Sequence, residues 1–414
     1  MAPKIKALSV LAATLVFVST AFASGYQLNE HGARATAMGG AFVARANDPS
    51  AIFFNPAGLS YLKGLNVMVG GTLILPSTTF TGPYPNNTET RMNNLVFFPP
   101  NAYVTYTMEN GLAFGIGTYT PYGLGTDWPG NWVGKFIITK INLQSFYINP
   151  TISYSYEDFL SVGIGFDYAL GSVELDRVVS TPFSDPTGNP IQPTANLKGN
   201  AKGSTFNFGI LLTPVKNLSL GFSYRGKVNL KADNGTATFT NAGKLSPLLP
   251  GGSVSTSVPL PETWFVGVAY KDGSYSIEAD YQYVGWSAFN QLVINFATQT
   301  ALQSQTVVAG NYSNSYIIRV GGDYRINETI TARAGLFYDR NPVPDAYLEP
   351  LLPDADRLGI NVGAGINLTD NIALDLSYMF LPFKQRTVTT SAVGFNGTYN
   401  STANLIGADL SFKF

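Results

Sequence analysis

The chain alternates apolar and polar residues over segments of about ten residues along most of its length. At its C-terminal end, Ile406, Ala408, Leu410 and Phe412 alternate with more polar side chains, and the chain stops at Phe414. Period-two alternation places one face of a strand against apolar surroundings and the other against water. Strands of this length cross a bilayer, but only a closed barrel pairs all their backbone groups in lipid. The pattern therefore predicts an all-β fold, a transmembrane antiparallel β-barrel.

Fourteen strand candidates follow one another between Leu65 and Phe414. An even number of strands is typical of single-chain bacterial barrels. Very short turns, such as Glu109-Asn110 and Thr369-Asp370, alternate with long polar connections. We therefore expect the short turns on the periplasmic side and the long loops outside the cell. The candidate ranges are 65–80, 93–108, 111–122, 140–156, 159–177, 197–213, 217–232, 256–270, 274–297, 312–326, 329–342, 356–368, 371–388 and 402–414.

The N-terminal end has the features of a secretory signal peptide. Lys4 and Lys6 precede an apolar run over residues 7–18, and residues 21–23 (Ala-Phe-Ala) match the small-x-small cleavage rule. The alternative is a membrane anchor helix, for which the apolar run is too short. We predict a signal peptide over residues 1–23 and a mature chain that begins at Ser24.

Residues 24–64 lack strand alternation and are dominated by small side chains. Asp48-Pro49 and Asn55-Pro56 each combine a capping residue with a proline suited to the first position of a helix. A segment this short cannot bury a core of its own, whereas a barrel lumen supplies the cavity that it needs. We predict a plug, or hatch, with short helices over residues 24–64 and a barrel over residues 65–414.

Composition excludes several other classes of protein. Only 12% of the residues are charged, against about 25% in soluble proteins. The net charge of −1 argues against nucleic-acid binding, which requires a basic surface. The chain has no Cys, and its single His, His31, is far in sequence from any candidate nucleophile. With no metal-ligand cluster or phosphate-binding loop in the sequence, we predict no enzymatic activity, no cofactor and no metal.

Strand parity directs a set of charged side chains toward the barrel interior. One interpretation is a neutralising charge network that holds the plug against the wall. The other is that some of the basic groups bind the carboxylate of a ligand. The basic members of the set are Arg225, Lys227, Arg319 and Arg333, and the acidic members are Glu278, Asp280, Asp323, Asp339 and Asp375.

The chain contains four tryptophans, Trp128, Trp132, Trp264 and Trp286. Aromatic belts at the membrane–water interfaces account for such residues. Trp128 and Trp132 follow the third strand candidate closely, and for these two a role in a ligand groove is an equal alternative.

The third strand candidate contains residues that weaken strand pairing. Gly115, Gly117 and Gly123 lack a side chain that would support the ladder, and Pro121 removes a backbone donor. An apolar ligand gains about 0.8 kcal/mol per CH₂ group buried in an apolar pocket, and lipid is its favourable destination. Leaving sideways requires a local break in the pairing, which is cheapest at these four positions. An ordinary transition from strand to loop is the alternative.

Five segments, in order along the mature chain, resemble the FadL/TodX family of outer-membrane transporters for long-chain fatty acids and aromatic hydrocarbons. The first, residues 24–62, contains Asn55, Pro56 and Ala57, which are similar to the Asn-Pro-Ala element of the family's hatch. The others are residues 114–136, 260–270, 279–296 and 332–366. The resemblance implies a fourteen-stranded barrel plugged by an N-terminal hatch, an extracellular ligand groove, an inner apolar pocket, and exit through the wall near the third strand.

The combined prediction is outer-membrane transport of a hydrophobic small molecule by a monomer embedded in outer-membrane lipid. A C-terminal aromatic residue, here Phe414, is the usual address for the barrel assembly machinery. The alternative from another class is a general diffusion porin, or a structural or adhesive barrel with no specific ligand. The sequence does not distinguish a fatty acid from a neutral hydrocarbon.

Overall fold

A computed structural model describes residues 25–83, 85–300 and 304–414. The predicted signal peptide lies outside the described residues. Fourteen antiparallel strands surround a lumen, and β1 pairs with β14, so the sheet closes on itself. The strands are β1 (Gly64–Thr81), β2 (Pro100–Thr107), β3 (Leu112–Tyr119 and Gly123–Asp127), β4 (Lys140–Tyr156), β5 (Leu160–Val178), β6 (Thr194–Val215), β7 (Leu218–Arg225 and Val228–Thr240), β8 (Gly252–Leu260 and Thr263–Asp272), β9 (Tyr275–Val284 and Gln291–Phe296), β10 (Gln305–Ala309 and Ser315–Arg325), β11 (Ile330–Asp339), β12 (Arg357–Asn367), β13 (Ile372–Pro382) and β14 (Gly397–Lys413).

The period-two alternation separates the two faces of each strand. On β5, Val162, Ile164 and Phe166 are exposed on the outer face, whereas Ser161 and Asp167 are fully buried on the inner face. Because the outer row is apolar on strand after strand, it forms a band that faces lipid. Among the described residues, no helix is long and apolar enough to cross a membrane.

Connections at the two ends of the barrel differ in length. Turns such as the one between β4 and β5 are short, whereas the connections from β5 to β6 and from β11 to β12 are long. The long connections carry two short strands, Glu89–Arg91 and Arg386–Val388, and two 3₁₀ helices, Gly243–Leu248 and Asp345–Tyr347. A further 3₁₀ turn, Trp286–Ala288, interrupts β9. We assign the rim with long connections to the outside of the cell.

Residues 25–63, which we call the N-terminal segment, lie inside the ring of strands. They form the helices α1 (Ala33–Ala37) and α2 (Ala51–Phe54) and the 3₁₀ helix Pro56–Tyr61. Glycines on the wall permit close backbone contact, since a Cβ atom at Gly321 would lie 1.9 Å from the carbonyl oxygen of Met38. The main hydrophobic cluster joins aromatic side chains of this segment to inward residues of the wall. Among them are Tyr26, Phe42, Phe53, Phe54, Tyr119, Tyr147 and Trp286.

The predicted fold class, a closed barrel of fourteen strands with a few short helices, is confirmed. The second strand candidate, 93–108, is too long, because only Pro100–Thr107 belongs to the barrel. Pro99 and Pro100 have no N–H groups to donate, so regular pairing ends there. β10 and β14 begin earlier than predicted, at Gln305 and Gly397.

Candidate functional site

A cavity with a volume of about 880 Å³, which we call the large cavity, lies in the outer half of the lumen. Its floor is the start of the N-terminal segment. Its walls come from β1, β3 to β6, β12 to β14, the chain before β2 and the connection before β12. Most of the lining side chains are apolar, and the volume lies in the range of small-molecule pockets. Apolar members of the lining include Tyr26, Leu28, Ile74, Phe97, Leu124, Leu143, Leu352, Leu381 and Leu405.

The strand β3 is interrupted beside this cavity. Its first part pairs with both β2 and β4, up to Thr118, which pairs with Ala102. Its second part, from Gly123, pairs with β4. Between them the chain bends inward and bonds to the N-terminal segment. The Leu28 amide donates to the Pro121 carbonyl at 2.9 Å, and the Gly123 amide donates to the Tyr26 carbonyl at 3.0 Å.

The inward bend leaves a gap in the ladder between β2 and β3. The last β2–β3 pair bounds the gap below, and the Asn93 amide, which donates to the Asp127 carbonyl at 2.8 Å, bounds it above. Phe97 covers the gap, because a Cβ atom at Gly125 would lie 2.1 Å from its ring. The wall here is closed by side-chain contact rather than by backbone hydrogen bonds.

Pro121 and Gly123 lie at this bend, whereas Gly115 and Gly117 lie before it. Both lie in the regularly paired part of β3 and face the lumen. A Cβ atom at Gly117 would lie 2.9 Å from the Ile52 side chain, and one at Gly115 would lie 2.6 Å from Leu59. Their role is to let α2 and the following 3₁₀ helix approach the wall.

Three charged groups line the cavity, namely Glu30, Asp354 and Arg357. The Arg357 guanidinium lies 3.2 Å from an Asp339 carboxylate oxygen and donates to the Gly25 carbonyl at 3.4 Å. The Asp354 carboxylate accepts the Gly25 amide at 2.8 Å. The two side chains thus bind both the amide and the carbonyl of Gly25, the first described residue of the N-terminal segment.

Burial changes the proton affinity of the acids that lie outside the strands. It raises the pKa of Asp354 to about 6, partly opposed by Arg357 and by the Gly25 amide. Burial also raises the pKa of Glu30. Near neutral pH the cavity therefore contains one permanent cation and acids that take up a proton readily.

The Asn55-Pro56-Ala57 element joins the N-terminal segment to the wall. The Asn55 side-chain oxygen accepts the Ala57 amide at 3.2 Å, which caps the 3₁₀ helix. Its amide nitrogen donates to the Val43 carbonyl at 2.8 Å and to the Ile210 carbonyl of β6 at 3.1 Å. The Ala57 carbonyl accepts the Ser161 hydroxyl of β5 at 2.6 Å. The Ser153 hydroxyl of β4 also donates to the Ala57 carbonyl, at 3.2 Å. One short motif therefore binds three wall strands.

Arg225 belongs to a buried network around the end of the first part of β3. Its guanidinium is ion-paired with Asp167 and donates to the Tyr119 hydroxyl at 2.6 Å. It also donates to the Phe53 carbonyl of α2 at 3.1 Å. The Tyr119 hydroxyl donates to Asp167 at 2.6 Å. The network connects β3, β5, β7 and α2.

Arg319 and Arg333 are likewise directed inward and already contact acceptors. Arg319 donates to the Gly39 carbonyl at 3.1 Å and to the Gln282 side chain at 2.5 Å. Arg333 lies 2.5 Å from Asp375. Neither arginine lines the large cavity, and both contacts fit the predicted charge network better than a free carboxylate site.

Lys227 was predicted to point inward, and this prediction is wrong. Arg225 is buried and Val228 is also buried, although strict alternation would place them on opposite faces. The two parts of β7 are joined by Gly226 and Lys227, and this interruption shifts the parity by one residue. Lys227 is therefore exposed on the outer surface.

Three of the four tryptophans do not belong to an interface belt. Trp128 and Trp132 are buried in the core of the outer loops, stacked with ring centroids 4.3 Å apart. Their indole N–H groups donate to the carbonyls of Pro350 and Ile138. Trp286 is buried in the lumen, with its ring centroid 4.8 Å from that of Tyr26. The belt interpretation is therefore wrong for these three.

Trp264 faces outward on β8. It stacks on Tyr283 of β9 with ring centroids 5.2 Å apart, an arrangement that fits an aromatic girdle. Trp132 also lines a smaller cavity of about 470 Å³ at the outer surface, together with Pro129, Asn131 and Val133.

His31 is buried between aromatic rings. Its Nε2 atom donates to the Leu28 carbonyl at 2.9 Å, and its ring centroid lies 3.8 Å from that of Phe53. Burial lowers the pKa of His31 to about 3. The ring is neutral at physiological pH, and its contacts make it a structural residue of the lumen.

Several residues of the large cavity were not singled out from the sequence. The sequence pattern places Phe97 in a strand. It places Tyr26 and Leu28 in the plug without distinguishing them from the other residues of that segment. Arg357 could have been found, because it shares strand parity with Asn361, which was predicted to face inward. The bend of β3 onto residues 26–28 joins positions far apart in sequence, so no local pattern indicates it.

Comparisons with known proteins agree with this architecture. The sequence profile described as outer membrane protein transport protein (OMPP1/FadL/TodX) matches residues 14–414. The long-chain fatty acid transport protein of Escherichia coli (strain K12) is 26% identical over 412 residues, covering 90% of this chain and 91% of that protein. Outer membrane protein P1 of Haemophilus influenzae is 24% identical, covering 97% of this chain and 98% of that protein.

Solved structures share the fold. A Pseudomonas aeruginosa FadL homologue matches with a TM-score of 0.82 at 20% identity, covering 94% of this chain and 100% of that one. The toluene transporter TodX of P. putida matches with a TM-score of 0.72 at 18% identity, covering 92% of this chain and 98% of that one.

Proposed function

Because this chain belongs to the family of outer membrane protein transport proteins (OMPP1/FadL/TodX), we propose that it carries hydrophobic compounds through the cavity described above. The predicted resemblance to this family is confirmed, and the chain is an outer-membrane β-barrel protein. The proposed cargo is a long-chain fatty acid or an aromatic or aliphatic hydrocarbon. The observation that carries the proposal is an apolar cavity of about 880 Å³ beside an interrupted strand.

The proposed route begins at the outer surface. Trp132 and its neighbours line a shallow cavity of about 470 Å³, where an apolar molecule would first be captured. The larger cavity receives the cargo next, and transfer into it is favourable by about 0.8 kcal/mol per CH₂ group removed from water. Residues 24–64 act in this scheme as the hatch, since the described part of that segment fills the lumen beneath the cavity.

The exit proposed is lateral, through the gap between β2 and β3. Opening there displaces the Phe97 side chain and breaks no β2–β3 backbone bond, because the ladder is already absent between the last pair and Asn93. Elsewhere in the wall an opening would expose unpaired backbone groups to lipid, which costs several kcal/mol for each group.

A disulfide across the gap tests the lateral exit. Positions 100 and 120 lie two residues beyond the last β2–β3 register pair, Ala102 and Thr118, one on each side of the gap. In vesicles, oxidised Pro100→Cys/Thr120→Cys protein should transport a labelled apolar cargo at least tenfold more slowly, while capture from outside persists. Reduction should restore the rate. The matched control is Val104→Cys/Ile116→Cys, which joins a register pair below the gap and should transport normally when oxidised.

Normal transport by the stapled barrel, with the disulfide verified, would move the exit to another place, such as the hatch and the periplasm. Equal inhibition by the control disulfide would show that any cross-link between these strands is inhibitory, and the gap would lose its special role.

We propose that an inward basic group distinguishes a fatty acid from a neutral cargo by binding its carboxylate. Arg357 is the basic residue on the lining of the large cavity and is the first candidate for a carboxylate contact. Arg225, Arg319 and Arg333 contact acceptors away from the cavity and are secondary candidates. Replacing Arg357 by Gln should weaken binding of a fatty acid about tenfold relative to a hydrocarbon of equal length, as expected for one lost charge-assisted pair. Equal effects on both ligands would indicate a neutral cargo or a contact elsewhere.

One further partner and the oligomeric state follow from the same proposal. Phe414 is exposed at the end of β14, on the rim with short turns, where assembly machinery could bind it during insertion. We also propose that the working unit is a monomer, because hatch, cavity and gap all belong to one chain.

A further inference from the structure

The lipid-facing band ends at a sharp boundary on β5. Outward residues of this strand are apolar and exposed from Val162 to Leu170, and the next outward positions, Ser172 and Glu174, are polar. The boundary lies toward the rim with long connections. It is therefore the level at which acyl chains give way to headgroups in the outer leaflet.

Two lysines lie beyond the outward apolar rows of the neighbouring strands, which end at Phe206 on β6 and at Tyr224 on β7. Lys202 of β6 is the register partner of Leu170, and Lys231 of β7 is the register partner of Lys202. Both side chains are exposed, whereas Leu230, next to Lys231, is buried on the inner face. Two ammonium groups thus project from directly opposed positions, whose Cα atoms are about 5 Å apart in such a ladder.

This pairing is unfavourable unless an anion accompanies it, because like charges directly opposite in a sheet repel. Within the described parts of the chain, neither lysine has a carboxylate oxygen within 4.0 Å. The nearest outward acid on β5, Glu174, contacts Lys140 at 3.2 Å and Lys198 at 2.9 Å. Asp233 is two residues beyond Lys231 on the side away from the membrane and is exposed.

Lys227 adds a third positive charge to the same face. It is exposed on β7, four residues before Lys231 and beside the apolar band. Its long stem can cover apolar surface while the ammonium remains at the headgroup level, as basic side chains do at membrane interfaces. Asn229, between the two lysines, is also exposed and provides an amide donor.

We propose that Lys202, Lys227 and Lys231 bind the phosphate groups of a glycolipid in the outer leaflet. A phosphate between the opposed ammonium groups replaces their repulsion by two charge-assisted hydrogen bonds. Basic clusters at headgroup level are the usual recognition sites for anionic lipids. The lysine site lies on the outer wall and does not depend on the proposed transport route.

Native mass spectrometry of the full chain in detergent tests the lysine site. The probes are a bisphosphorylated glucosamine disaccharide lipid, its dephosphorylated analogue, and inorganic phosphate. The protein should retain the phosphorylated lipid at least tenfold more tightly than the analogue. Lys202→Gln/Lys231→Gln should lose about thirtyfold in affinity for the phosphorylated lipid, whereas Lys202→Arg/Lys231→Arg should stay within about threefold.

The matched control is Lys216→Gln/Lys271→Gln, two exposed lysines at the opposite rim, which should leave affinity unchanged. Heat-modifiable gel mobility verifies that each variant is folded. Unchanged binding by the Gln pair, equal loss by the control, or equal affinity for the two lipids would overturn the assignment. Displacement of the lipid by 10 mM inorganic phosphate, about the concentration of a phosphate buffer, would reassign the lysines to free phosphate and also overturn it.

Discussion

At the scale of single residues, carboxylates of the wall hold backbone amide groups of the N-terminal segment. Asp280 accepts the amides of Phe42 and Val43 at 2.8 and 3.1 Å, and Glu278 accepts the Ala44 amide at 2.6 Å. Each of these amides thus has an acceptor on the wall, as buried backbone N–H groups require. The segment therefore needs few polar side chains of its own, which explains its small-residue composition.

Asn55 provides the complementary case, in which a side chain of the segment bonds to wall backbone. Asn55→Ala removes the cap of the 3₁₀ helix and two donated bonds, which should cost about 1–3 kcal/mol locally. We expect uptake of apolar cargo to fall several-fold while the amount of folded barrel in the membrane falls less. Asn371→Ala, at an exposed turn, is the control. If uptake and folded protein fall equally, the motif serves folding alone.

Asp354 gives a pH-dependent attachment at the other end of the segment. Its pKa of about 6 in the folded protein lies above its ordinary value of 3.8. The stabilisation of the fold by protonated Asp354 is therefore full below about pH 4 and is lost as the pH rises through 6. Hydrogen exchange of residues 25–28 and 343–356, corrected for intrinsic rates, should show more protection at pH 5 than at pH 7.

Asp354→Asn should reduce that difference by about half, because Asp356 in the same loop also has a pKa raised to about 6 by burial. Asp185→Asn, in the long connection between β5 and β6, is the control and should leave the difference intact. A wild-type protein equally protected at both pH values would contradict the assignment.

At the scale of elements, the Arg225 network joins three strands to α2. Removing one partner leaves a buried charge, so Arg225→Gln or Asp167→Asn alone should destabilise the barrel by roughly 3–5 kcal/mol. The double variant should cost clearly less than the sum of the two, as measured by urea unfolding in a double-mutant cycle. Additive losses would mean that the two side chains act independently.

Element positions were predictable where a periodic pattern decides them. Strands such as β4 and β5 begin and end within about a residue of their predicted ranges, because lipid on one side and a filled lumen on the other require strict alternation. The pattern fails where one residue is added or a strand changes partner. The two residues Gly226 and Lys227 reverse the inward–outward alternation of β7. At Thr120–Tyr122 the chain stops pairing with β2 and bonds to the N-terminal segment instead.

The candidate site was less predictable than the strands for the same reason. Its motif residues, Asn55 to Ala57, are contiguous, so a sequence pattern alone can indicate them as a unit. The cavity assembles side chains from both termini and from several strands, and its basic residue, Arg357, is at the first position of β12. Such a set is defined only by the closed barrel.

At the scale of the whole molecule, the lumen is occupied rather than open. Aromatic and small residues of the N-terminal segment pack against inward side chains around the ring. Vesicles containing the full chain should therefore swell in small sugars at least tenfold more slowly than vesicles with an equal amount of an open porin. Rapid swelling would favour the general diffusion porin instead.

The seam between β1 and β14 has a consequence for the order of assembly. The N-terminal segment directly precedes β1, and its Ala33 amide bonds to Asp409 of β14, on the lumen side. The two strands pair from Asn66 to Thr81. The contact between Ala33 and Asp409 joins the segment to the last strand of the barrel, so it can form only when β14 has taken its place. We therefore expect the N-terminal segment to reach its final position late in folding, together with closure of the ring.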